Sequence, residues 1–162
     1  MAVIFGDRDK KKNSNLEQQK QHLYRYWKNS RLITSDQALK AFLAVPRELF
    51  VDPSYRDQSY ADHPLPIGCE QTISQPTTVM LMLQLLELLP GQRVLEIGAG
   101  SGYNAALLAE LSGLVVTVER HKQLIKIAQE NLNQAGYKDV IVVNGDGKQG
   151  YVSELPSAPS HW

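Results

Sequence analysis

The sequence contains one cysteine, has no formal net charge, and lacks an apolar run long enough to cross a membrane. A single cysteine, Cys69, excludes an internal disulfide and is typical of a reducing compartment, so we expect a cytoplasmic protein. Basic and acidic residues number 17 each, which provides no general field for nucleic acid or an anionic membrane. The most apolar stretch, 79–89, contains Gln84 and Glu87 and is too short to span a bilayer. We therefore expect neither nucleic acid nor membrane as a partner.

Metal-ligand patterns are also scarce. The 4 histidines have no metal-ligand spacing, and one cysteine cannot build a structural zinc site. The sequence therefore predicts no metal cofactor.

The first 70 residues indicate helices followed by an irregular segment. A helix is predicted over 15–31, with Leu16, Leu23, Tyr24 and Trp27 on one apolar stripe. A second, short helix follows Ser35, whose hydroxyl is a suitable N-cap. Residues 51–70 are rich in Asp, Pro, Ser and Tyr, and predict an extended, turn-filled segment.

The rest of the chain alternates helices and strands. We predict a helix starting at Pro76 with Ser74 as its N-cap, because proline is well tolerated in the first turn. Alternating elements of this kind indicate a parallel, doubly wound α/β sheet. The elements predicted after that helix are a buried strand over 93–97, a helix over 103–112, a strand over 114–119, a helix over 121–135 and a last strand in 139–146.

Three glycines follow the first predicted strand of the sheet, in the sequence VLEIGAGSGY at 94–103. Gly98, Gly100 and Gly102 let the main chain pass close to a ligand before entering a helix. Their spacing is G-x-G-x-G, whereas nicotinamide sites favour G-x-G-x-x-G, and no lysine follows as a phosphate-binding P-loop requires. By itself the loop leaves a structural turn, a nicotinamide site and an S-adenosylmethionine site open.

Three acidic residues lie at the carboxyl ends of the three predicted strands. Glu96 would repel a pyrophosphate but suits a cation such as the sulfonium and ammonium of S-adenosylmethionine. Glu119 is placed to accept hydrogen bonds from both ribose hydroxyls. Asp146, with the backbone amides beside it, is placed to hold adenine. Because parallel strand ends share one edge of a sheet, the three acids favour S-adenosylmethionine over NAD.

Several segments together resemble the bacterial protein-L-isoaspartate O-methyltransferases. The match runs in order over about 35–152, and the PIG…QTISQP segment is more specific to that family than the glycine loop. The segments that carry the resemblance are AFLAVPRELFV (41–51), YADHPLPIG (60–68), QTISQP (71–76), RVLEIGAGSGY (93–103), VVTVER (115–120) and NGDGKQGY (144–151).

The resemblance implies a Rossmann-like class I methyltransferase that moves a methyl group from S-adenosylmethionine to the free carboxylate of isoaspartyl residues in damaged proteins. It assigns the acceptor-binding hydroxyl to Ser74 and adds Thr72, Ile73 and Gly147 to the cofactor contacts. It also implies three regions: an N-terminal helical segment (1–34), the methyltransferase domain (35–152) and a divergent tail (153–162).

The sequence departs from the family in two places. Glu70 stands where the family has a glycine, and no apolar strand follows Val152, so the C-terminal strands of the family sheet are missing. We therefore expect a truncated chain that self-associates through the exposed sheet edge. An inactive or partner-dependent fragment that binds S-adenosylmethionine is the alternative to a working enzyme.

Overall fold

The computed structural model describes residues 7–149, with side chains over 14–148. Its N-terminal part consists of helices α1 (Asp7–Asn29) and α2 (Asp36–Ala44), then short 3-10 helices at Arg47–Leu49 and Pro53–Gln58. As predicted, Ser35 caps α2 by accepting a hydrogen bond from the Ala38 amide. The predicted tail over 153–162 lies outside the described residues, and the division at residue 34 stays a prediction.

A β-hairpin, not an extended segment, connects this part to the next helix. Strands β1 (Leu65–Gly68) and β2 (Gln71–Ile73) pair antiparallel and precede α3 (Pro76–Leu85). Burial alternates along Leu65–Gly68, as is typical of a strand. The sequence pattern does not predict this strand, because proline and glycine interrupt its apolar residues.

The C-terminal part forms the predicted parallel sheet. Its strands lie in the order β3 (Val94–Ile97), β4 (Val115–Glu119) and β5 (Ile141–Asn144). Helices α4 (Tyr103–Leu111) and α5 (Lys122–Ala135) connect them. The carboxyl ends of all three strands therefore meet at one edge.

One apolar core joins the N-terminal helices to the sheet. From the predicted stripe of α1, Leu16, Leu23 and Trp27 are buried in it. The Trp27 ring packs edge-on against Phe42, with the ring centroids 4.7 Å apart. Farther along, Phe50 packs in the same way against Tyr103, the first residue of α4. The N-terminal helices are thus part of the fold that holds the sheet.

The prediction of a buried first strand was only half right. Strand β4 is buried at every position, but in β3 Leu95 is 47% exposed and Ile97 is 55% exposed. Within residues 7–149, β3 pairs on one side only. The C-terminal end of α3 is exposed, with Leu85 79% exposed, whereas helix α4 packs into the core.

Among the described residues, no helix is both long enough and apolar enough to cross a membrane.

The hairpin turn has an unfavourable backbone conformation at two residues with side chains. Cys69 has φ +50° and Glu70 has φ +56°, the left-handed region where glycine and asparagine are preferred. These are the two central residues of the β1–β2 turn, where positive φ at both positions matches the strand twist. The requirement for positive φ explains why a glycine fits better than Glu70.

We predict that Glu70→Gly raises the free energy of unfolding by about 1 kcal/mol, because glycine relieves the left-handed penalty at this position. Urea denaturation of the wild type and the variant measures the change. Glu70→Ala is the matched control, since alanine keeps the Cβ and its penalty. Equal stability of the glycine and alanine variants would show that the turn is unstrained.

Candidate functional site

The glycine loop leaves the carboxyl end of β3 and enters α4 by a tight turn. Gly98 has φ +94°, and a Cβ built there would meet no atom within 4 Å, so the loop is open on that side. Gly102 has φ +88°, and a Cβ there would lie 3.0 Å from Leu132 Cγ and 3.2 Å from the Ala128 carbonyl. The first glycine thus leaves space for a ligand, and the last lets α4 approach α5.

The carboxylate of Glu119 holds this loop against β4. Its Oε2 accepts a hydrogen bond from the Gly100 amide at 3.1 Å, and its Oε1 accepts from the Arg120 and His121 amides at 2.8 and 2.9 Å. The residue is 6% exposed. A carboxylate has about four acceptor positions, and three are filled here. One position remains for a ligand hydroxyl without breaking a bond to the main chain.

Glu96 lies on the side of β3 that faces α4. Its Oε1 accepts a hydrogen bond from Asn104 Nδ2 at 2.7 Å. Its Oε2 is buried near the Thr117 hydroxyl, yet neither atom completes a hydrogen bond of normal geometry within the described chain. Burial raises the pKa of Glu96, and the Thr117 and Asn104 side chains oppose this effect. A carboxylate at this position favours a cationic ligand over an anionic one.

The turn after β5 brings the third acid to the same edge. Asp146 is exposed, and its Oδ1 accepts a hydrogen bond from the Lys148 amide at 3.1 Å. Gly147 passes so close to Ile97 at the end of β3 that a Cβ would overlap the isoleucine side chain. The ends of β3, β4 and β5 therefore form one continuous rim, as the sequence predicted.

The β1–β2 hairpin packs against the glycine loop. Ile67 of β1 lies 3.3 Å from the position that a Cβ of Gly100 would occupy. On β2, Thr72 is exposed, whereas Ile73 is buried in the core. The hairpin thus brings the segment before α3 next to the loop, a contact that spacing along the chain does not predict.

Ser74 is not the N-cap of α3. Gln75 occupies that position without a side-chain capping bond, and Asp62 serves the helix instead. The Asp62 carboxylate accepts hydrogen bonds from the Thr77 amide at 2.9 Å and from its hydroxyl at 2.7 Å. The exposed Ser74 hydroxyl makes no hydrogen bond to any part of the chain that the structure describes. It is therefore available to a ligand.

Four polar residues of the site were not predicted. Thr117 is a polar residue inside an apolar strand, and it lies directly opposite Glu96. The polar residue is visible in the sequence, but its pairing with Glu96 is clear only once the strand register is known. Asn104, Arg47 and Asp62 act through contacts between distant segments, which spacing along the chain does not show. Over residues 14–148 no group of His, Cys, Asp and Glu side chains is arranged to hold a metal ion.

Comparison with known proteins agrees with this geometry. The family model for protein-L-isoaspartate(D-aspartate) O-methyltransferase matches residues 18–159. The chain is 52% identical over 133 residues to a protein-L-isoaspartate O-methyltransferase of Aeropyrum pernix, covering 80% of this chain and 51% of that protein. It is 50% identical over 127 residues to protein-L-isoaspartate O-methyltransferase 1 of Syntrophobacter fumaroxidans, covering 78% of this chain and 59% of the relative.

A solved structure is similar over the same region. It is a putative protein-L-isoaspartate O-methyltransferase of Plasmodium falciparum in complex with S-adenosyl-L-homocysteine. The TM-score is 0.66 at 26% identity, and the match covers 75% of this chain and 61% of that one.

The parallel sheet, the glycine loop and the acids at its strand ends define a Rossmann-like class I methyltransferase fold. More narrowly, the chain belongs to the protein-L-isoaspartate(D-aspartate) O-methyltransferase family. The expected restriction to bacterial members is not supported, since relatives come from archaea and bacteria. The chain spans about half to two thirds of the length of the relatives it matches, from 51% to 64% in the first four.

The raised pKa of Glu96 predicts a pH-dependent stability. Because its pKa is higher in the folded than in the unfolded protein, the folded state binds more protons between the two values. The contribution of Glu96 to stability is therefore largest below its unfolded pKa and falls as the pH rises through the folded pKa. We predict that Glu96→Gln becomes more stable relative to the wild type as the pH rises through this window.

Urea denaturation of both proteins between pH 4 and pH 8, about the range in which shifted carboxyl groups titrate, measures this difference. Glu110→Gln is the control, because that carboxylate lies on the exposed side of α4. If the free energies of unfolding of the wild type and Glu96→Gln change in parallel with pH, the pKa of Glu96 is not raised in the folded protein.

Proposed function

We propose that this chain carries the cofactor-binding region of a protein-L-isoaspartate O-methyltransferase, which methylates the free carboxylate of isoaspartyl residues in damaged proteins. The observation that carries the proposal is the placement of an unengaged serine hydroxyl, Ser74, directly after a hairpin that packs against the glycine loop, at the edge where the acids lie. Membership of the family and the identity of its relatives support it.

The polar groups of the rim favour S-adenosylmethionine as cofactor. Glu96 places a carboxylate at this edge of the sheet, held by Asn104, and its negative charge favours a cationic ligand over an anionic one. A dinucleotide would instead bring a pyrophosphate close to the same carboxylate, which is unfavourable. When bound, S-adenosylmethionine supplies a methyl group on a sulfonium.

We assign the contacts to this cofactor by position along the edge where β3, β4 and β5 end. The open backbone at Gly98, with Gly100 and Gly102 completing the turn, makes room for its chain. Glu119 has one free acceptor position for a ribose hydroxyl, and Asp146 with Gly147 lies where the adenine would be held. Thr72 and Ile73, on the neighbouring hairpin, complete the proposed set.

The reaction requires alignment more than proton transfer. An isoaspartyl carboxylate is already ionised at neutral pH, so its oxygen attacks the methyl group without a general base. The Ser74 hydroxyl donates a hydrogen bond that orients this carboxylate for in-line displacement. Correct orientation of two reactants is worth several orders of magnitude in rate.

Self-association is a further proposal. We propose that the chain self-associates, because within residues 7–149 β3 pairs on one side only and apolar side chains at the end of α3 are exposed. The cytoplasmic location and the absence of a nucleic-acid partner stay predictions.

We predict that the chain methylates an isoaspartyl peptide and that Ser74→Ala lowers kcat/KM about tenfold to a hundredfold, since a hydrogen bond to a charged group is lost. Transfer of labelled methyl from S-adenosylmethionine measures this rate. The same peptide with a normal aspartate is the substrate control, and Ser30→Ala, at the end of α1, is the protein control. Equal methylation of both peptides, or no effect of Ser74→Ala, would contradict the proposed role.

For self-association, we predict that light scattering finds oligomers of the wild-type chain and that Leu95→Lys shifts them toward monomer. The charge would oppose burial of the exposed face of β3. Tyr26→Lys is the control, because Tyr26 is an exposed aromatic on α1, far along the chain from β3. A monomeric wild type would refute this proposal.

A further inference from the structure

Arg47 is an arginine with no exposed surface that links three segments of the chain. Its Nε donates a hydrogen bond to the Ser59 carbonyl at 2.7 Å, and its Nη2 donates to the Ser74 carbonyl at 2.8 Å. Its Cζ lies 4.7 Å from the centroid of the Tyr103 ring. The guanidinium thus touches the turn before the hairpin, the residue proposed to bind the acceptor, and the first residue of α4.

This arrangement is costly as a purely structural device. Nη1 of Arg47 and the hydroxyl of Tyr103 are both buried, and neither completes a hydrogen bond of normal geometry in the described region. Burial lowers the pKa of Arg47, which the nearby Tyr103 hydroxyl, Tyr60 and Asp62 only partly offset. A well-packed apolar residue is often as stabilising as a buried charge, so the stability of the fold alone does not explain an arginine here.

The two ends of the link belong to the two halves of the proposed site. Ser74 carries the hydroxyl for the acceptor carboxylate. Tyr103 directly follows Gly102, which ends the glycine loop proposed for the methyl donor. A guanidinium is planar and rigid, so it fixes groups around it at a defined separation better than an ammonium does.

We propose that Arg47 is a positioning residue for methyl transfer, which holds the Ser74 segment and the start of α4 at the separation that in-line attack requires. The inference rests on the proposed function of the site. It differs from that proposal because Arg47 contacts neither the acceptor nor the donor and acts through Ser74 and Tyr103.

The predicted signature is a loss of rate without a loss of binding. In Arg47→Lys the charge remains, but a single ammonium cannot reproduce the geometry of two carbonyl bonds and ring stacking. We expect kcat, per S-adenosylhomocysteine site, to fall about tenfold to a hundredfold, as expected for a small misplacement of reacting groups. We expect the dissociation constant of S-adenosylhomocysteine to change less than about threefold, roughly half the free energy of a tenfold affinity step.

Lys20→Met is the matched control for loss of a buried cation. Lys20 is also a buried cation that donates to two carbonyls, those of Leu43 and Val45, but it has no bond to Ser74. Its loss should lower stability and leave kcat per site unchanged. If Lys20→Met and Arg47→Lys lower kcat equally, or if Arg47→Lys lowers only the number of binding sites, Arg47 is structural and the proposal is wrong.

Hydrogen exchange separates this proposal from the proposed function. Amides over 74–78 should exchange faster in Arg47→Lys than in Lys20→Met, whether or not the chain transfers methyl groups. If Arg47→Lys does not fold, Tyr103→Leu replaces it as the test. This variant removes the ring that Arg47 contacts and should also lower kcat. If the amides over 74–78 exchange at the wild-type rate in Arg47→Lys, the positioning proposal is wrong. If they exchange faster in Arg47→Lys but the wild type transfers no methyl group, only the proposed function is wrong.

Discussion

Glu119 ties together the ends of the three parallel strands, and the rim of the site depends on this connection. Its carboxylate accepts hydrogen bonds from Gly100 in the glycine loop and from the two amides that lead into α5. Its carbonyl accepts a hydrogen bond from the Gly145 amide at 3.0 Å, in the turn after β5. One residue thus holds the loop after β3, the start of α5 and the turn that carries Asp146.

A second network, in the N-terminal half, holds the segment around Ser74. Trp27 donates a hydrogen bond to the Thr77 hydroxyl at 2.8 Å, and Thr77 donates to Asp62. This chain of contacts joins α1, α3 and the turn at residues 60–63, so the first turn of α3, shortly after Ser74, is held in place. The helices that precede the sheet therefore belong to the site, although they contribute no group to the rim.

The alternating part of the fold was predictable because each element has a local signal. Apolar strands followed by amphipathic helices predicted β3, β4, β5, α4 and α5 within about two residues, the usual uncertainty of element ends. The same logic predicted that Glu96, Glu119 and Asp146 would share one edge, because parallel strands end on the same side.

The errors came where distant segments decide the structure. Ser74 has the residue type and position of an N-cap, but Asp62, distant in sequence, satisfies the helix amide instead. For Glu119, three main-chain amides occupy three of about four acceptor positions, and its bonds to the ribose hydroxyls stay a prediction. The hairpin was missed because its strands are short and its turn contains Cys69 and Glu70, neither of which is a usual turn residue.

The most direct test of the account is calorimetric titration of the 162-residue chain with S-adenosylhomocysteine, with NAD as the competing ligand. The account predicts binding of S-adenosylhomocysteine at about one site per chain, no measurable binding of NAD, and an affinity about tenfold to a hundredfold weaker in Glu119→Ala, since charge-assisted hydrogen bonds are lost. An unchanged affinity in Glu119→Ala, or binding of NAD in preference to S-adenosylhomocysteine, would contradict it.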